Sequence, residues 1–276
     1  MKTTASKEAE WAAITVDKVI VATASQVWLE SAWENSDRLA QPRTGLSNSA
    51  ITKKLLDGAM AAAKMAVPTA EKPPSLTPNR LVWQLAGAYH IAHFTPKLMG
   101  EASKRFRLGL RHDLANWADE KAKKGDGHDH LALLDIESLG FQAAEIVEFM
   151  IPPAAKILVD YFQRGACDRN PIDCVGYVYA IERLSVAAKP EHIQQIESIL
   201  PPGVNATRCL KANSSSGTQD DHLRDSVDLI SKLSTAQRDR VIRACYETAL
   251  LLFSPPPEGY WLERQLESML RPFKLV

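Results

Sequence analysis

One carboxylate stands on an otherwise apolar helix face in the stretch GYVYAIERL, residues 176–184. At about 100° per residue, Glu182 shares its face with Val175, Val178, Tyr179 and Val186. Because an unpaired buried charge is very costly, such a carboxylate must be paired, protonated or bound to a metal. Glu182 is therefore either half of a structural ion pair or a ligand.

A histidine occupies a comparable position in LAGAYHIAHF, residues 85–94. His90 shares its face with Trp83, Ala86, Gly87 and Phe94, on a helix that is apolar nearly all round and therefore central. His93 lies about 60° away on the helix, where we expect it to support His90 as a neighbour. Two interpretations stay open for His90, namely a core histidine satisfied by one hydrogen bond and a metal ligand.

Several carboxylates in TQDDHLRDSVDLISKL, residues 218–233, suggest metal ligation by their spacing alone. The buried face of this helix is predicted from Leu223, Val227, Ile230 and Leu233. Three aspartates point away from that face and are predicted to be solvated: Asp221, Asp225 and Asp228. Gln219 and His222 lie on the buried side, so His222 is the candidate of this helix.

Two histidines and one carboxylate on buried faces match a known ligand set. His90, Glu182 and His222 are the residue types of the facial triad that holds mononuclear non-haem iron(II) with positions open for dioxygen and substrate. Trp83, Phe94 and Tyr179 are the expected lining of an apolar pocket beside it. Periodicity predicts the helix face on which each side chain lies, but it does not show that the three faces meet in space.

The elements that carry these residues are predicted to be helices. Period-2 alternation is nearly absent, so we expect one all-α bundle, a prediction that a sheet of three or more strands would contradict. Asn79 is the expected cap of the long helix, and Pro96 is expected to kink it. The predicted helices cover residues 8–34, 48–66, 80–108, 113–124, 131–150, 153–165, 171–187, 190–199, 219–233 and 235–253, followed by a short amphipathic tail. Residues 1–70 are predicted to be a helical extension packed on a bundle formed by residues 71–276.

Composition excludes several classes of protein. The 276 residues contain 33 basic and 33 acidic side chains, which argues against a nucleic-acid-binding protein. No apolar run is long enough for a membrane span, and the N-terminus lacks the apolar core of a signal peptide. Four scattered cysteines without a CxxC pair favour reduced thiols. We therefore expect a cytoplasmic protein that binds neither nucleic acid nor membrane.

Four ordered segments resemble a known family: LAGAYHIAH, GDGHDHLALLDIESLG, NPIDCVGYVYAIE and ATRCLKANSSSGTQDDH. Over about residues 80–253 they are similar to the haem-oxygenase-like iron-containing redox enzymes, also called haem-oxygenase-like di-iron oxidases. The wider superfamily includes thiaminase II and pyrroloquinoline-quinone synthase, which use the same helical bundle without iron. The resemblance implies the haem-oxygenase-like bundle more firmly than it implies chemistry.

The resemblance also implies a partly lost ligand set. The family's Glu-x-x-His corresponds to Gly87 and His90, and the glutamate that ends G-Y-x-Y-x-x-E is Glu182. In the family's His-x-x-x-Asp-x-x-His, the last histidine is His222 and the aspartate position holds Gln219. The first histidine position falls on Ser215, or on Asn213 if SSSG is an insertion. Three ligand positions are thus retained and three lost, which argues against a full di-iron centre.

Further family positions are His128 and Asp135, which we interpret as bracing a helix start. The resemblance implies an iron(II)-dependent oxidase or oxygenase acting on a small organic substrate in a biosynthetic pathway, with a mononuclear or degenerate site. The alternative is a metal-free member, either a cofactorless catalyst or a binding or scaffold protein. A third interpretation is a structural homodimer that uses the N-terminal helices and the tail near Trp261 as its contact surface.

Overall fold

A computed structural model describes residues 9–32, 47–68, 74–186, 190–214, 216–254 and 257–275. The chain forms two compact units whose segments alternate along the sequence. The first unit contains the described residues up to Pro68, together with Pro171–Arg183 and Asp220–Phe253, and the second contains the remainder. The division at residue 70 into an extension and a bundle stays a prediction.

The predicted helix over residues 8–34 is wrong, because the described part of this segment is a β-sheet. Strands β1 (Glu10–Ala13), β2 (Lys18–Ala22) and β3 (Val27–Ser31) form an antiparallel meander in the order β1-β2-β3. Trp11 pairs with Val21, and Ile20 pairs with Leu29. The expectation that strands are absent is wrong here, because the pattern of a short apolar run fits a buried strand as well as a helix. The β-branched Val19, Ile20 and Val21 favour the strand.

Helices complete the first unit. They are α1 (Ser49–Ala66), α7 (Asp173–Val186), α10 (Ser216–Ser231, from Asp220 onwards in this unit) and α11 (Thr235–Phe253). Helix α1 begins where the Asn48 side chain accepts a hydrogen bond from the Ala50 N–H at 2.7 Å. Its buried side contains Leu55, Leu56 and Ala59, and it packs against both the sheet and α11.

The second unit is built around one long helix, α2 (Pro78–Leu108). Around it stand α3 (His112–Gly125), α4 (His128–Ser138), α5 (Ala143–Phe149), α6 (Pro153–Ala166), α8 (Pro190–Ser198), α9 (Arg208–Ser214) and α12 (Glu263–Leu270). Two short 3₁₀ helices, Pro257–Tyr260 and Arg271–Phe273, lie on either side of α12.

The long helix begins earlier than its predicted cap. Thr77 accepts a hydrogen bond from the Arg80 N–H at 3.2 Å, and Pro78 occupies the first turn, where its missing N–H costs nothing. Asn79, the predicted cap, instead donates to Glu263 at 2.7 Å. The helix runs without a break through Pro96.

The three-stranded sheet contradicts the prediction of a bundle without strands, whereas the mainly helical class is confirmed by these elements, and several boundaries agree with prediction. Helix α11 has the predicted bounds, whereas the predicted helix 131–150 divides into α4 and α5. The division occurs at Gly140, whose φ of +84° is a left-handed conformation that glycine adopts without strain. Among the described residues, no helix is long and apolar enough to cross a membrane.

Candidate functional site

Helix α7 is fixed against α11 by a close backbone contact. A Cβ atom at Gly176 would lie 2.1 Å from the Val241 carbonyl oxygen and 2.8 Å from the Cys245 nitrogen. Only glycine allows the two helices to approach this closely. Beside this contact, Asp173 accepts from Arg240 at 2.9 and 2.8 Å. The start of α7 is therefore held in a defined position, which sets the direction of the side chains that follow.

Those side chains include a polar cluster between α7 and α1. Tyr179 donates its hydroxyl to Asp57 Oδ1 at 3.1 Å, and Arg183 Nε donates to the same oxygen at 3.1 Å. Lys53 Nζ binds the other oxygen, Oδ2, at 2.5 Å. Tyr179 is buried, whereas the charged groups are partly exposed. We call Lys53, Asp57, Tyr179 and Arg183 the Asp57 cluster.

The protonation states of this cluster follow from its contacts. Burial on its own would raise the pKa of Asp57, but the hydrogen bonds and charges of Lys53 and Arg183 outweigh it and hold this pKa below its ordinary value. Burial, and then the Asp57 charge, raise the pKa of Tyr179 above its ordinary value. Near neutral pH the cluster thus presents an ionised carboxylate and a neutral phenol that donates a hydrogen bond.

Neighbouring thiols are poor nucleophiles. Cys174 and Cys245 are buried, and burial is the main cause that raises the pKa of each thiol above its ordinary value. A thiolate is the reactive form of cysteine, so these thiols are weakly reactive. Tyr177 is also buried, with its pKa raised by burial.

Glu182 lies on the same helix, within one turn of Tyr179. The predicted face is confirmed for Val175, Val178 and Tyr179, all of which are buried. Glu182 itself is half-buried, with its Oε2 atom buried. The carboxylate therefore stands at the border of the apolar stripe, so the cost of its charge is lower than that of full burial.

His90 is buried, as predicted, and its ring is engaged by the backbone. Nε2 lies 3.1 Å from the Met150 carbonyl oxygen. Because a carbonyl oxygen only accepts, Nε2 must carry the hydrogen, and in the neutral ring the lone pair is on Nδ1. Burial lowers the pKa of His90 below its ordinary value, against the opposing effect of the Met150 and Val147 carbonyls. This geometry is that of a core histidine satisfied by a hydrogen bond.

The family's lost glutamate position lies against α6. A Cβ atom at Gly87 would lie 3.6 Å from Pro152 Cγ and 3.7 Å from Ala155 Cβ, which is ordinary van der Waals contact. Gly87 itself supplies no ligand, and the backbone engages Nε2 of His90. These two positions of α2 therefore offer a metal one ring nitrogen, Nδ1 of His90, and no carboxylate.

The other predicted residues of α2 have contacts of their own. His93 is exposed and its Nδ1 lies 2.8 Å from Asp129 Oδ2, so it does not support His90 as expected. Phe94 is half-buried, and its ring centroid lies 5.5 Å from that of His93 in an edge-on arrangement. Trp83 is buried against Trp261, with ring centroids 4.8 Å apart. The tail residue Trp261 thereby packs within its own unit.

The helix phase predicted for residues 218–233 is confirmed where side chains are described. Leu223, Val227, Ile230 and Leu233 are buried. Asp225 is exposed, whereas Asp228 is half-buried because it lies nearer the border of the buried face. The remaining predictions for this region concern Asn213, Ser215, Gln219, Asp221 and His222, and these side chains lie outside those that the structure describes.

The convergence of the predicted ligands stays a prediction. His90 belongs to the second unit, whereas Glu182 and His222 belong to the first. Among the residues that the structure describes, no three His, Cys, Asp or Glu side chains form a group able to hold a metal.

Asp135 braces a helix start, as predicted. Its buried carboxylate accepts the N–H groups of Arg208 and Cys209 at 3.1 and 2.9 Å, at the beginning of α9. Arg208 Nη1 adds an ion pair at 3.0 Å. These contacts make Asp135 a structural residue. His128 occupies the first position of α4, consistent with the same interpretation.

The sequence analysis missed Asp57, Lys53 and Arg183. Asp57 and Tyr179 are 122 residues apart, so no local pattern connects them. The available signal was the spacing of Tyr179 and Arg183, four residues apart on one helix face. Asp57 itself follows the buried Leu55 and Leu56 on α1, where a carboxylate requires a partner.

Comparisons with known proteins show the fold alone. No protein-family model matches the chain, and no curated protein matches it. A solved domain of unknown function with a haem-oxygenase-like fold, from Shewanella denitrificans, is 16% identical with a TM-score of 0.57, covering 81% of this chain and 89% of that one. A TenA homologue from Pseudomonas syringae is 14% identical with a TM-score of 0.58, covering 77% and 96%. The haem-oxygenase-like fold expected from the sequence is thereby confirmed.

Proposed function

We propose that this chain is a haem-oxygenase-like protein that binds a small organic molecule without an iron centre. Two residues of α2 carry the proposal, because Gly87 supplies no carboxylate one turn before His90, and His90 Nε2 donates to the Met150 carbonyl at 3.1 Å. Of these two positions, only the Nδ1 atom of His90 keeps a lone pair for a metal. This is the metal-free interpretation that the sequence analysis kept as its alternative.

The Asp57 cluster is the polar part of the proposed binding site. Asp57 and Arg183 are partly exposed, so a solute reaches them, and the buried Tyr179 donates a hydrogen bond to the carboxylate. Partly exposed ion pairs beside a neutral phenol suit a polar group of the bound molecule. The raised pKa values of the Cys174, Cys245 and Tyr177 side chains favour a non-covalent role.

Iron uptake tests the metal-free part of this proposal. Protein loaded anaerobically with iron(II) and then desalted is expected to retain no stoichiometric iron, and Glu182→Gln is expected to behave like the wild type. About one iron per chain, lost in both Glu182→Gln and His222→Gln, would overturn it in favour of a facial triad. That competing proposal, a non-haem iron oxidase, rests on the buried Oε2 atom of Glu182.

A matched pair of arginines tests the binding part. Arg183 and the exposed Arg243 lie in the same unit, and Arg243 has no part in the Asp57 cluster or in the contacts that fix α7. Ligand-observed NMR with a panel of small organic acids, amines and neutral compounds is expected to detect binding to the wild type and to Arg243→Met. Arg183→Met is expected to lose it. Equal binding by both variants would place the site elsewhere.

A further inference from the structure

Two arginine–aspartate pairs of the first unit differ in the number of donors that the arginine uses. Arg240 binds Asp173 through two donors, with Nε 2.9 Å from Oδ1 and Nη2 2.8 Å from Oδ2. Arg183 binds Asp57 through Nε alone, which lies 3.1 Å from Oδ1. The side chains of Arg240 and Arg183 are 36% and 37% exposed, so exposure to solvent does not explain the difference.

The other partners of Asp57 account for the single contact. Tyr179 donates to Oδ1 at 3.1 Å, and Lys53 Nζ lies 2.5 Å from Oδ2, the oxygen that a two-point pair with Arg183 would use. Asp57 therefore fixes the direction of the guanidinium at Nε only. Among the residues that the structure describes, Nη1 and Nη2 of Arg183 have no hydrogen-bond partner.

The Asp57 cluster also has one positive charge in excess. Lys53 and Arg183 both pair with the single carboxylate of Asp57, which is ionised near neutral pH. The charges next to the cluster in sequence, Lys54 and Glu182, are of opposite sign and balance each other. Both cations of the cluster are partly exposed, so an anion from solution reaches them.

We infer that the molecule bound at the Asp57 cluster is an organic acid, whose carboxylate accepts hydrogen bonds from Nη1 and Nη2 of Arg183. This inference rests on the proposed function and narrows the bound molecule to one chemical class. The planar fork of a guanidinium matches the two oxygens of a carboxylate. A phosphate group offers similar oxygens, but the single excess charge of the cluster suits the single charge of a carboxylate better than the roughly −1.5 to −2 of a phosphate monoester.

Matched compounds test the chemical class. The probes are benzoate and octanoate, the amides and amines of the same two carbon skeletons, and phenyl phosphate, each measured by ligand-observed NMR. At least one of the two acids is expected to bind the wild type and Arg243→Met, with a dissociation constant about tenfold or more below those of its amide and amine and of phenyl phosphate.

The outcomes separate this inference from the proposed function. Preferred binding of an amide, an amine or phenyl phosphate that is lost in Arg183→Met would overturn the assignment to an organic acid and leave the proposed site in place. Binding that Arg183→Met leaves unchanged, or no binding by any probe, would overturn the proposed site and this inference with it.

A conservative substitution separates the fork of donors from the charge. Arg183→Lys keeps a cation beside Asp57 but replaces the two Nη groups by one ammonium group, so it is expected to raise the dissociation constant of the acid about tenfold or more. Arg243→Lys is the matched control and is expected to leave the constant unchanged. If the constant is also unchanged in Arg183→Lys, the acid is attracted by charge alone and the assigned contact is wrong.

Chemical modification of the wild type gives the same information without a substitution. Phenylglyoxal condenses with the Nη groups of arginine, and peptide mass spectrometry measures the rate at each residue. At ten times its dissociation constant, the acid is expected to slow the modification of Arg183 about tenfold and to leave that of the exposed Arg243 unchanged. The matching amide is expected to protect neither arginine. Equal rates at Arg183 with and without the acid would exclude a contact with its Nη groups.

Discussion

Individual polar residues in this protein are stabilised by partners far away in the sequence. Asp57 holds its charge because Lys53 and Arg183 neutralise it, and Tyr179 stays neutral because burial and the Asp57 charge both raise the pKa of its hydroxyl. His90 shows the opposite case, in which burial lowers the pKa of the ring. Each residue matches the general rule that a buried polar group is hydrogen-bonded.

His90 gives the prediction at this scale. Its pKa in the folded state lies below the ordinary 6.5, so the unfolded chain binds the proton more readily as the pH falls. The His90 contribution to the free energy of unfolding is therefore complete above about pH 6.5 and decreases as the pH falls towards the folded-state pKa. Nitrogen-15 NMR is expected to show a neutral ring with the hydrogen on Nε2 at pH 7.

The same experiment contains its own control. His93 is exposed and its Nδ1 lies 2.8 Å from Asp129 Oδ2, so it is expected to carry a hydrogen on Nδ1, which distinguishes its signals from those of His90. A His90 ring that titrates above 6.5 would contradict the dominant effect of burial on its pKa. A neutral ring with its hydrogen on Nδ1 would contradict the assigned hydrogen bond to the Met150 carbonyl.

At the scale of elements, α7 and α11 are in close backbone contact at Gly176. Neither helix has room to accommodate a methyl group there, because the Val241 carbonyl oxygen and the Cys245 nitrogen belong to the backbone. Asp173 and Arg240 fix the same end of α7. The position of the Asp57 cluster depends on this crossing.

Two glycine-to-alanine substitutions are expected to have opposite effects. Gly176→Ala is expected to lower the free energy of unfolding by about 3 kcal/mol or more, because the two helices must move apart. Gly100→Ala, in the interior of α2 with nothing within 4 Å of its Cβ position, is expected to raise it by about 0.5–1 kcal/mol. Urea unfolding followed by circular dichroism measures both. Equal stability of the two variants would contradict the assigned helix crossing.

At the scale of the whole molecule, the C-terminal segment of the second unit is hydrogen-bonded to the start of α2. Arg80 donates to the carbonyls of Gly259 and Trp261 at 2.7 and 2.6 Å, and Thr77 donates to Glu263 at 2.6 Å. Leu266 and Leu270 of this segment belong to the buried core of the unit. The tail is therefore an integral part of the fold rather than an appendage.

Paired leucine substitutions test this role of the tail. Leu266→Ala is expected to lower the free energy of unfolding by about 2–5 kcal/mol, because it leaves a cavity in a packed core. Leu275→Ala, at an exposed position, is expected to change it by less than about 0.5 kcal/mol. Thermal or urea unfolding measures the difference. A small effect at Leu266 would show that the tail is dispensable.

The sequence by itself determined those features that depend on helical periodicity. The bounds of α11, the buried faces of α7 and α10 and the burial of His90 all followed from the spacing of apolar residues. The resemblance in ordered segments added the haem-oxygenase-like fold, which the structural neighbours confirm. Periodicity predicts these features correctly because a long helix repeats its apolar pattern over several turns.

Tertiary structure decided the features that depend on distant partners. The residues of β1, β2 and β3 form a sheet because each strand gains its hydrogen bonds from a neighbouring strand. Runs of four or five residues are too short for their pattern to distinguish a strand from a helix. His90 became a core residue because the Met150 carbonyl lies 60 residues away in sequence and beside it in space. Asp57 meets Tyr179 and Arg183 for the same reason. Periodicity assigns a side chain to a face, but only packing determines which atom that face meets.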